Sequence, residues 1–316
     1  MPQVDPAISI VVCTYNRAGL LAECLTSLTE QTADPALFEV IIVDNNSHDD
    51  TEVVCSSFTE RNRNFRYIHE ARQGLSHARN SGAREANSPW ICYIDDDAKA
   101  FRNYAERIMH VIQHYDFDCF GGIYHPWYKY GKPKWYKDSY GSKPLERDDI
   151  GTLTSGYLSG GVMIVKKAVL ESLGGFSPEI GMSGESISYG EEVLLQVRMR
   201  KSGMSIGFDP ELQIYHLVNA HKLTMLWFLK SAYANGLDDW DTFDKKVTWF
   251  EFAKILPRNL VYFAEASIRN TPLLFRGDYY FQNWVIECLS PVARSFGQIV
   301  SGARCLIGDS ARRRIR

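Results

Sequence analysis

The chain has 316 residues, 45% of them hydrophobic and 13% aromatic, which is ample for a buried core and excludes an intrinsically disordered chain. Its 35 Lys and Arg against 38 Asp and Glu leave a formal net charge of −3, so no general nucleic-acid binding is expected. The seven cysteines are scattered and form no C-x-x-C pair, as reduced core thiols of a cytoplasmic protein would be.

Met1 to Pro6 lacks the basic-then-apolar pattern of a signal peptide, and no run reaches ~18 apolar residues, so no membrane span is expected. Ile8 to Cys13 and Glu39 to Val43 are continuous β-branched runs, which predict strands buried on both faces. Between them Leu21, Cys24, Leu25 and Leu28 recur at helical spacing. Asp49-Asp50-Thr51 opens a helix through Phe58. Arg66 to His69 predicts a short strand, Ser76 to Ala86 a helix and Trp90 to Ile94 a fourth strand, followed by a helix near Arg102 to Tyr115. This alternation implies βαβ units and a mostly parallel sheet, whose ligands sit beyond the carboxyl ends of the strands.

Polar residues gather at those ends: Thr14-Tyr15-Asn16-Arg17, Asp44-Asn45-Asn46-Ser47 and Asp95-Asp96-Asp97. Each taken singly is ordinary turn chemistry; three together point at one crevice. Three adjacent carboxylates repel one another unless a cation or a set of donors holds them. Hard oxygen ligands suit Mg²⁺ or Mn²⁺, which also take substrate phosphates. Asp44 can accept from the N3–H of a uracil or thymine ring on which Tyr15 stacks, and Arg17 and Arg79 can fork onto phosphate. The small residues around Arg79, from Gly74 to Gly82, let a helix start pack closely.

The set Val12 to Arg17, Val43 to Ser47, Ala78-Arg79-Asn80 and Asp95 to Asp97 resembles glycosyltransferase family 2, the inverting enzymes of GT-A fold. The resemblance implies a nucleotide-sugar site, usually for a uridine diphosphate sugar, with Asp44 near the base and Thr14 beside the nucleotide. Asp95 and Asp97 match the ends of the D-x-D motif that holds the diphosphate through a divalent ion; with three adjacent acids, Asp96 can share the role.

Asp118 to Ile123 predicts an edge strand. The aromatic, Lys- and Pro-rich stretch His125 to Tyr136 has no period and reads either as an acceptor-side lid or as an aromatic cluster under a loop. Tyr157 to Val165 is a glycine-led strand, and Lys167 to Leu173 a helix ending at Gly174-Gly175. Gly190-Glu191-Glu192 opens the next helix, where the pair is either a simple first-turn feature or a source of the general base. Adjacent helical residues do not share a face, so one of the two is expected to reach the acceptor. The family pattern is Glu then Asp, with the Asp as base; that position is Glu192, one methylene longer, so Glu191 stays a candidate. Ser205 to Phe208 predicts a strand, and His216 matches the histidine that in this family often completes the metal site, with His221 the alternative.

From about Lys222 the family pattern stops. Leu223 to Tyr233, Trp249 to Ile255 and Leu260 to Ile268 predict amphipathic helices with Pro257 as a break, then an aromatic stretch from Tyr279 to Ile286 and a basic end, Arg312 to Arg316. These helices either cover the catalytic domain or form a homo-oligomer interface, or they rest on an anionic membrane surface where a lipid-linked acceptor lies. The expected architecture is α/β: a GT-A (nucleotide-diphospho-sugar transferase) domain over 1–221 with a helical C-terminal appendage over 222–316. The expected activity is Mn²⁺- or Mg²⁺-dependent transfer from a UDP-sugar to a glycan or lipid-linked glycan in polysaccharide biosynthesis, in the cytoplasm or at the inner face of the membrane. Two rivals are a sugar-1-phosphate nucleotidyltransferase, which would want a glycine-rich loop where Thr14 to Arg17 stand, and a non-catalytic nucleotide-sugar or glycan-binding module.

Overall fold

The computed structural model describes residues 5–142, 147–184 and 188–306. The chain divides into two compact units, Met1–Trp127 with Gly141–Glu179 and Glu191–Leu217, and Tyr128–Tyr140 with Ile180–Gly190 and Val218–Arg316.

In the first unit the strands are β1 (Ile8–Thr14), β2 (Phe38–Asp44), β3 (Phe65–His69), β4 (Trp90–Asp95), β5 (Ala98–Ala100), β6 (Cys119–Trp127), β7 (Gly151–Thr152), β8 (Val162–Lys166) and β9 (Ile206–Leu217). The helices are α1 (Ala18–Thr29), α2 (Thr51–Arg61), α3 (Leu75–Glu85), α4 (Tyr104–His114), α5 (Lys167–Ser172) and α6 (Glu191–Lys201). One sheet runs β3-β2-β1-β4-β8-β6-β9-β5, with β7 paired to β9. Its first four strands are parallel, as the βαβ pattern predicts, and β8 then runs antiparallel to both β4 and β6.

The apolar runs of β1, β2 and β4 alternate between two layers because successive side chains leave a strand on opposite faces. Ile8, Ile10 and Val12 join Leu21, Leu25 and Leu28 of α1 on one side. Val11, Ile41 and Val43 join Ala78 and Ala83 of α3 on the other. Gly82 is what lets α3 lie so close: a Cβ there would run into Val11.

Two expectations change in the second half of the sheet, and one strand is added. β6 is an interior strand between β8 and β9, not an edge, because β9 supplies a partner along its full length. The strand expected at Ser205 to Phe208 continues without a break through His216, so Pro210 lies within β9. The short β5 has little strand propensity of its own and exists through its ladder with β9.

The second unit contains α7 (Met225–Thr242), α8 (Trp249–Asn270) and α9 (Phe281–Leu306). Thr224 and Thr248 cap α7 and α8 by accepting from Trp227 N and Glu251 N at 3.3 and 3.2 Å, each worth about 1 kcal/mol. Pro257 lies inside α8 and does not end it: a proline removes one backbone donor and strains one turn, and packing against α9 carries the helix through. α7 and α9 meet backbone to backbone, since a Cβ on Gly236 would collide with Arg294 O and one on Gly297 with Tyr233 O. Asp239 accepts from Arg294 Nε and Nη2 at 2.8 and 2.5 Å and from Gln298 Nε2 at 2.6 Å.

The aromatic stretch splits between the units. His125 to Trp127 close β6, while residues 128–140 are fastened to the helices of the second unit. Lys137 Nζ and Tyr140 Oη donate to Glu287 Oε1 at 2.6 and 2.8 Å, Asn283 Nδ2 donates to Trp135 O at 2.7 Å, and the buried Tyr136 ring packs on Tyr128, Tyr140 and Phe228. No described helix is long and apolar enough to cross a membrane. Arg312 to Arg316 lie outside the described residues.

Candidate active site

The parallel register brings the polar strand ends level with one another, pairing Thr14 with Asp44 and Cys13 with Asp95. Much of the turn chemistry is local. Asn16 Oδ1 accepts from His48 N at 2.7 Å and Ser47 Oγ accepts from Asn16 N at 2.9 Å. Asn45 Nδ2 donates to the carbonyls of Glu70 and Arg72 while its Oδ1 accepts from Gly74 N at 2.7 Å. Asp44 is buried, accepting from Ser47 N at 2.9 Å and from the Tyr67 hydroxyl at 3.1 Å. Tyr15 is partly exposed at the end of β1.

The three acids after β4 separate into two environments. Asp96 is buried, accepting from Thr14 Oγ1 at 2.8 Å and from Arg17 Nη1 at 3.0 Å. Burial pushes its carboxyl up to about 6, against the pull of the Arg17 guanidinium. Asp95 and Asp97 face His216, whose Nε2 is 3.5 Å from Asp95 Oδ2 and 3.2 Å from Asp97 Oδ1, and Asp97 Oδ2 also lies 3.4 Å from Arg17 Nη1.

The backbone explains this meeting. β4 reverses through Asp96 and Asp97 into β5, Ala98 stands opposite His216 across the β5–β9 ladder, and Leu217 N donates to Asp97 O at 2.9 Å. One ligand atom from each of Asp95, Asp97 and His216 lies within 4.8 Å of the others. Two hard carboxylates and one imidazole fit a divalent ion such as Mn²⁺, for which a mixed oxygen and nitrogen set is suitable. His221, the other candidate, lies in the second unit beside Trp227.

Arg79 joins this group to the acidic pair at the start of α6. Its side chain is 4% exposed, with Nη1 2.6 Å from Glu191 Oε1 and Nη2 3.6 Å from Asp95 Oδ1. The guanidinium stacks over Phe176 and Tyr93, 5.3 and 5.9 Å from their ring centroids, and the Tyr93 hydroxyl donates to Arg79 O at 3.1 Å. The glycines that lead β8 make the space: a Cβ on Gly160 would come within 2.6 Å of Arg79 Nη2, and one on Gly161 would overlap the Asp95 carboxylate. Arg17 and Arg79, both expected on phosphate, are thus paired with carboxylates.

Glu191 is buried against Arg79, while Glu192, next on the helix, is partly exposed and makes no direct ion pair with a described residue. Burial, reinforced by the neighbouring Glu191 charge and opposed by Arg79, pushes the Glu192 carboxyl up to about 8. A carboxylate with a raised proton affinity beside a cation-type site is suited to general base chemistry.

Two supporting residues carry little signal in the sequence. Asn80 clasps the turn after α5, exchanging hydrogen bonds of 2.8 and 2.9 Å with the Phe176 backbone. Tyr124 lies 5.3 Å from the His216 ring, and burial with the charges of Asp95 and Glu192 pushes its hydroxyl up to about 12. The signal for Asn80 was its place beside Arg79 in a run of small residues; Tyr124 carried no local signal.

A model of glycosyl transferase family 2 matches residues 9–174, and the chain belongs to that family. It is 30% identical over 123 residues to glycosyltransferase AglE of Haloferax volcanii, an alignment covering 39% of this chain and 40% of the relative. The chain spans no more than 40% of the length of the first three curated relatives it matches. Among solved structures, the mannosyltransferase PcManGT from Pyrobaculum calidifontis in complex with GDP-Man and Mn²⁺ superposes with a TM-score of 0.57 at 18% identity, covering 98% of this chain and 77% of that one. S. aureus TarS 1–349 in complex with UDP gives 0.56 at 16% identity, covering 95% and 91%. The fold is GT-A, a mixed α/β sheet with a helical C-terminal region.

Proposed function

We propose that this glycosyltransferase is a metal-dependent, inverting enzyme that moves a sugar from a nucleotide diphosphate, uridine in the first instance, to a hydroxyl of a glycan or lipid-linked glycan. The observation that carries the reading is the convergence of Asp95, Asp97 and His216 at the end of β4, joined through the buried Arg79 to Glu191 beside Glu192. Asp95, Asp97 and His216 would hold the divalent cation, with Asp96 keeping Arg17 and Thr14 in place behind them. When bound, that cation supplies Lewis-acid stabilisation of negative charge on a departing diphosphate.

Asp44 and Tyr15 receive the base, and Thr14 and Arg17 line the path from β1 to the triplet. Glu192 takes the proton of the acceptor hydroxyl as its oxygen bonds to the anomeric carbon. The bond from that carbon to the diphosphate oxygen breaks on the opposite face, and its electron pair leaves with the nucleotide diphosphate. Glu191, paired with Arg79 at 2.6 Å, orients the start of α6 rather than receiving the proton. A guanosine donor is the second reading, favoured by the GDP-Man bound to the archaeal mannosyltransferase.

Thermal denaturation against a panel of UDP, GDP and their sugars, with and without Mn²⁺, tests the reading. The expected result is stabilisation by one nucleotide that requires Mn²⁺, about 2.7 kcal/mol at a ligand concentration 100 times Kd. Absence of any metal-linked shift across the panel would overturn it.

A further inference from the structure

The second unit carries a helix whose outward face has the wrong chemistry for water. α8 buries Ile255 and Ala266, yet Trp249, Phe250, Leu256, Leu260, Val261 and Ile268 are all exposed, Ile268 at 76%, Phe250 at 69% and Trp249 at 67%. At 100° per residue these six span an arc of about 140° on the side away from the buried stripe. The only other residues within the arc are Ala253, Pro257, Ala264 and Ser267, so it contains no charge. A contiguous apolar surface of this kind marks a site of association.

Its charged neighbours indicate what it meets. Lys254 borders the arc, its ammonium 3.5 Å from the centroid of the Phe250 ring and 3.2 Å from Glu251 Oε1. Glu265 and then Arg258 follow on that side of the helix, Lys245 and Lys246 precede it, and Arg269 and Arg276 lie at its far end. Residues 244–278 hold six Lys and Arg against four Asp and Glu, in a chain whose formal net charge is −3. That excess of two positive charges around the apolar arc disfavours a second copy of the segment and complements an anionic lipid surface.

We infer that α8 is an interfacial helix, which lies in the plane of an anionic membrane with its Trp249-to-Ile268 arc among the acyl chains. No described helix can span a bilayer, and one face of α8 packs on α9 while the other is apolar, the pattern of a helix that rests on a membrane. Basic residues around the arc add about 1 kcal/mol each near an anionic surface, screened by salt.

Flotation of the full chain with vesicles tests this. With phosphatidylglycerol mixed into phosphatidylcholine, the wild type is expected to float, and partition is expected to drop about tenfold or more on phosphatidylcholine alone or at high salt. The double variant Phe250→Glu, Ile268→Glu should lose about tenfold or more of the anionic-vesicle partition; both positions are exposed, so its thermal midpoint should stay with the wild type. Light scattering without lipid is run on both proteins. Absence of flotation by the wild type, equal flotation of the double variant, or a lipid-free dimer that the double variant splits without any lipid dependence would each overturn the assignment. Because this readout needs neither nucleotide nor metal, its failure leaves the transferase reading standing, and the reverse also holds.

Discussion

Two acidic centres flank Arg79, and they are restrained in opposite ways. At the end of β4 the middle acid, Asp96, is tied down by Thr14 and Arg17 while its neighbours turn to His216. At the start of α6 the first acid, Glu191, is tied down by Arg79 while the second makes no direct ion pair with a described residue. In each run one carboxylate makes the close arginine contact, Asp96 at 3.0 Å from Arg17 and Glu191 at 2.6 Å from Arg79. A turn sends its alternate residues to one side, giving a two-residue ligand spacing, whereas a helix rotates each successive residue by 100°, giving a single outward acid.

The largest expected effect falls on the β4 centre. Asp97→Ala should abolish the Mn²⁺-linked thermal shift with nucleotide and bring turnover to background, because it removes one of three ligand atoms; calorimetry with Mn²⁺ and nucleotide checks the binding half. Glu192→Gln should keep that shift and lower turnover about 10²- to 10⁴-fold, the usual contribution of a general base. Were both variants to lose binding equally, the two centres would not differ as described.

Arg79→Met should destabilise the fold by about 3–5 kcal/mol, since it strands the buried Glu191 carboxylate, and denaturant unfolding at neutral pH measures it. The smallest effect is graded. With the Glu192 carboxyl raised from 4.5 to about 8, the base is active only when deprotonated, so turnover should rise with pH, up to about tenfold per unit, and level off above about 8. Folding binds that proton, so without divalent cation the protein should lose stability as pH climbs from about 4.5 to 8. Glu192→Gln should flatten this loss in thermal denaturation between those limits.

The first four strands and their helices are legible in the sequence because each is a local pattern: β-branched runs for β1 and β2, helical spacing in α1, small residues in α3. The acids, His216 and the split within Glu191-Glu192 were named from residue type and family resemblance. What local pattern could not supply was partnership. Ala98-Lys99-Ala100 is a strand only because β9 lies beside it, and Pro210 sits inside β9 because the paired β6 continues past it. Arg79 reads as a fork for phosphate, and no local pattern shows that it is buried against Glu191, over a hundred positions later. The aromatic stretch around Tyr136 has no period because its order comes from Glu287 and Asn283, remote in the chain.

Gly161 has a consequence of its own. Any side chain there would take the volume that the Asp95 carboxylate fills, so a single added methyl group should push that carboxylate out of its place beside His216 while leaving every ionisable group of the protein present.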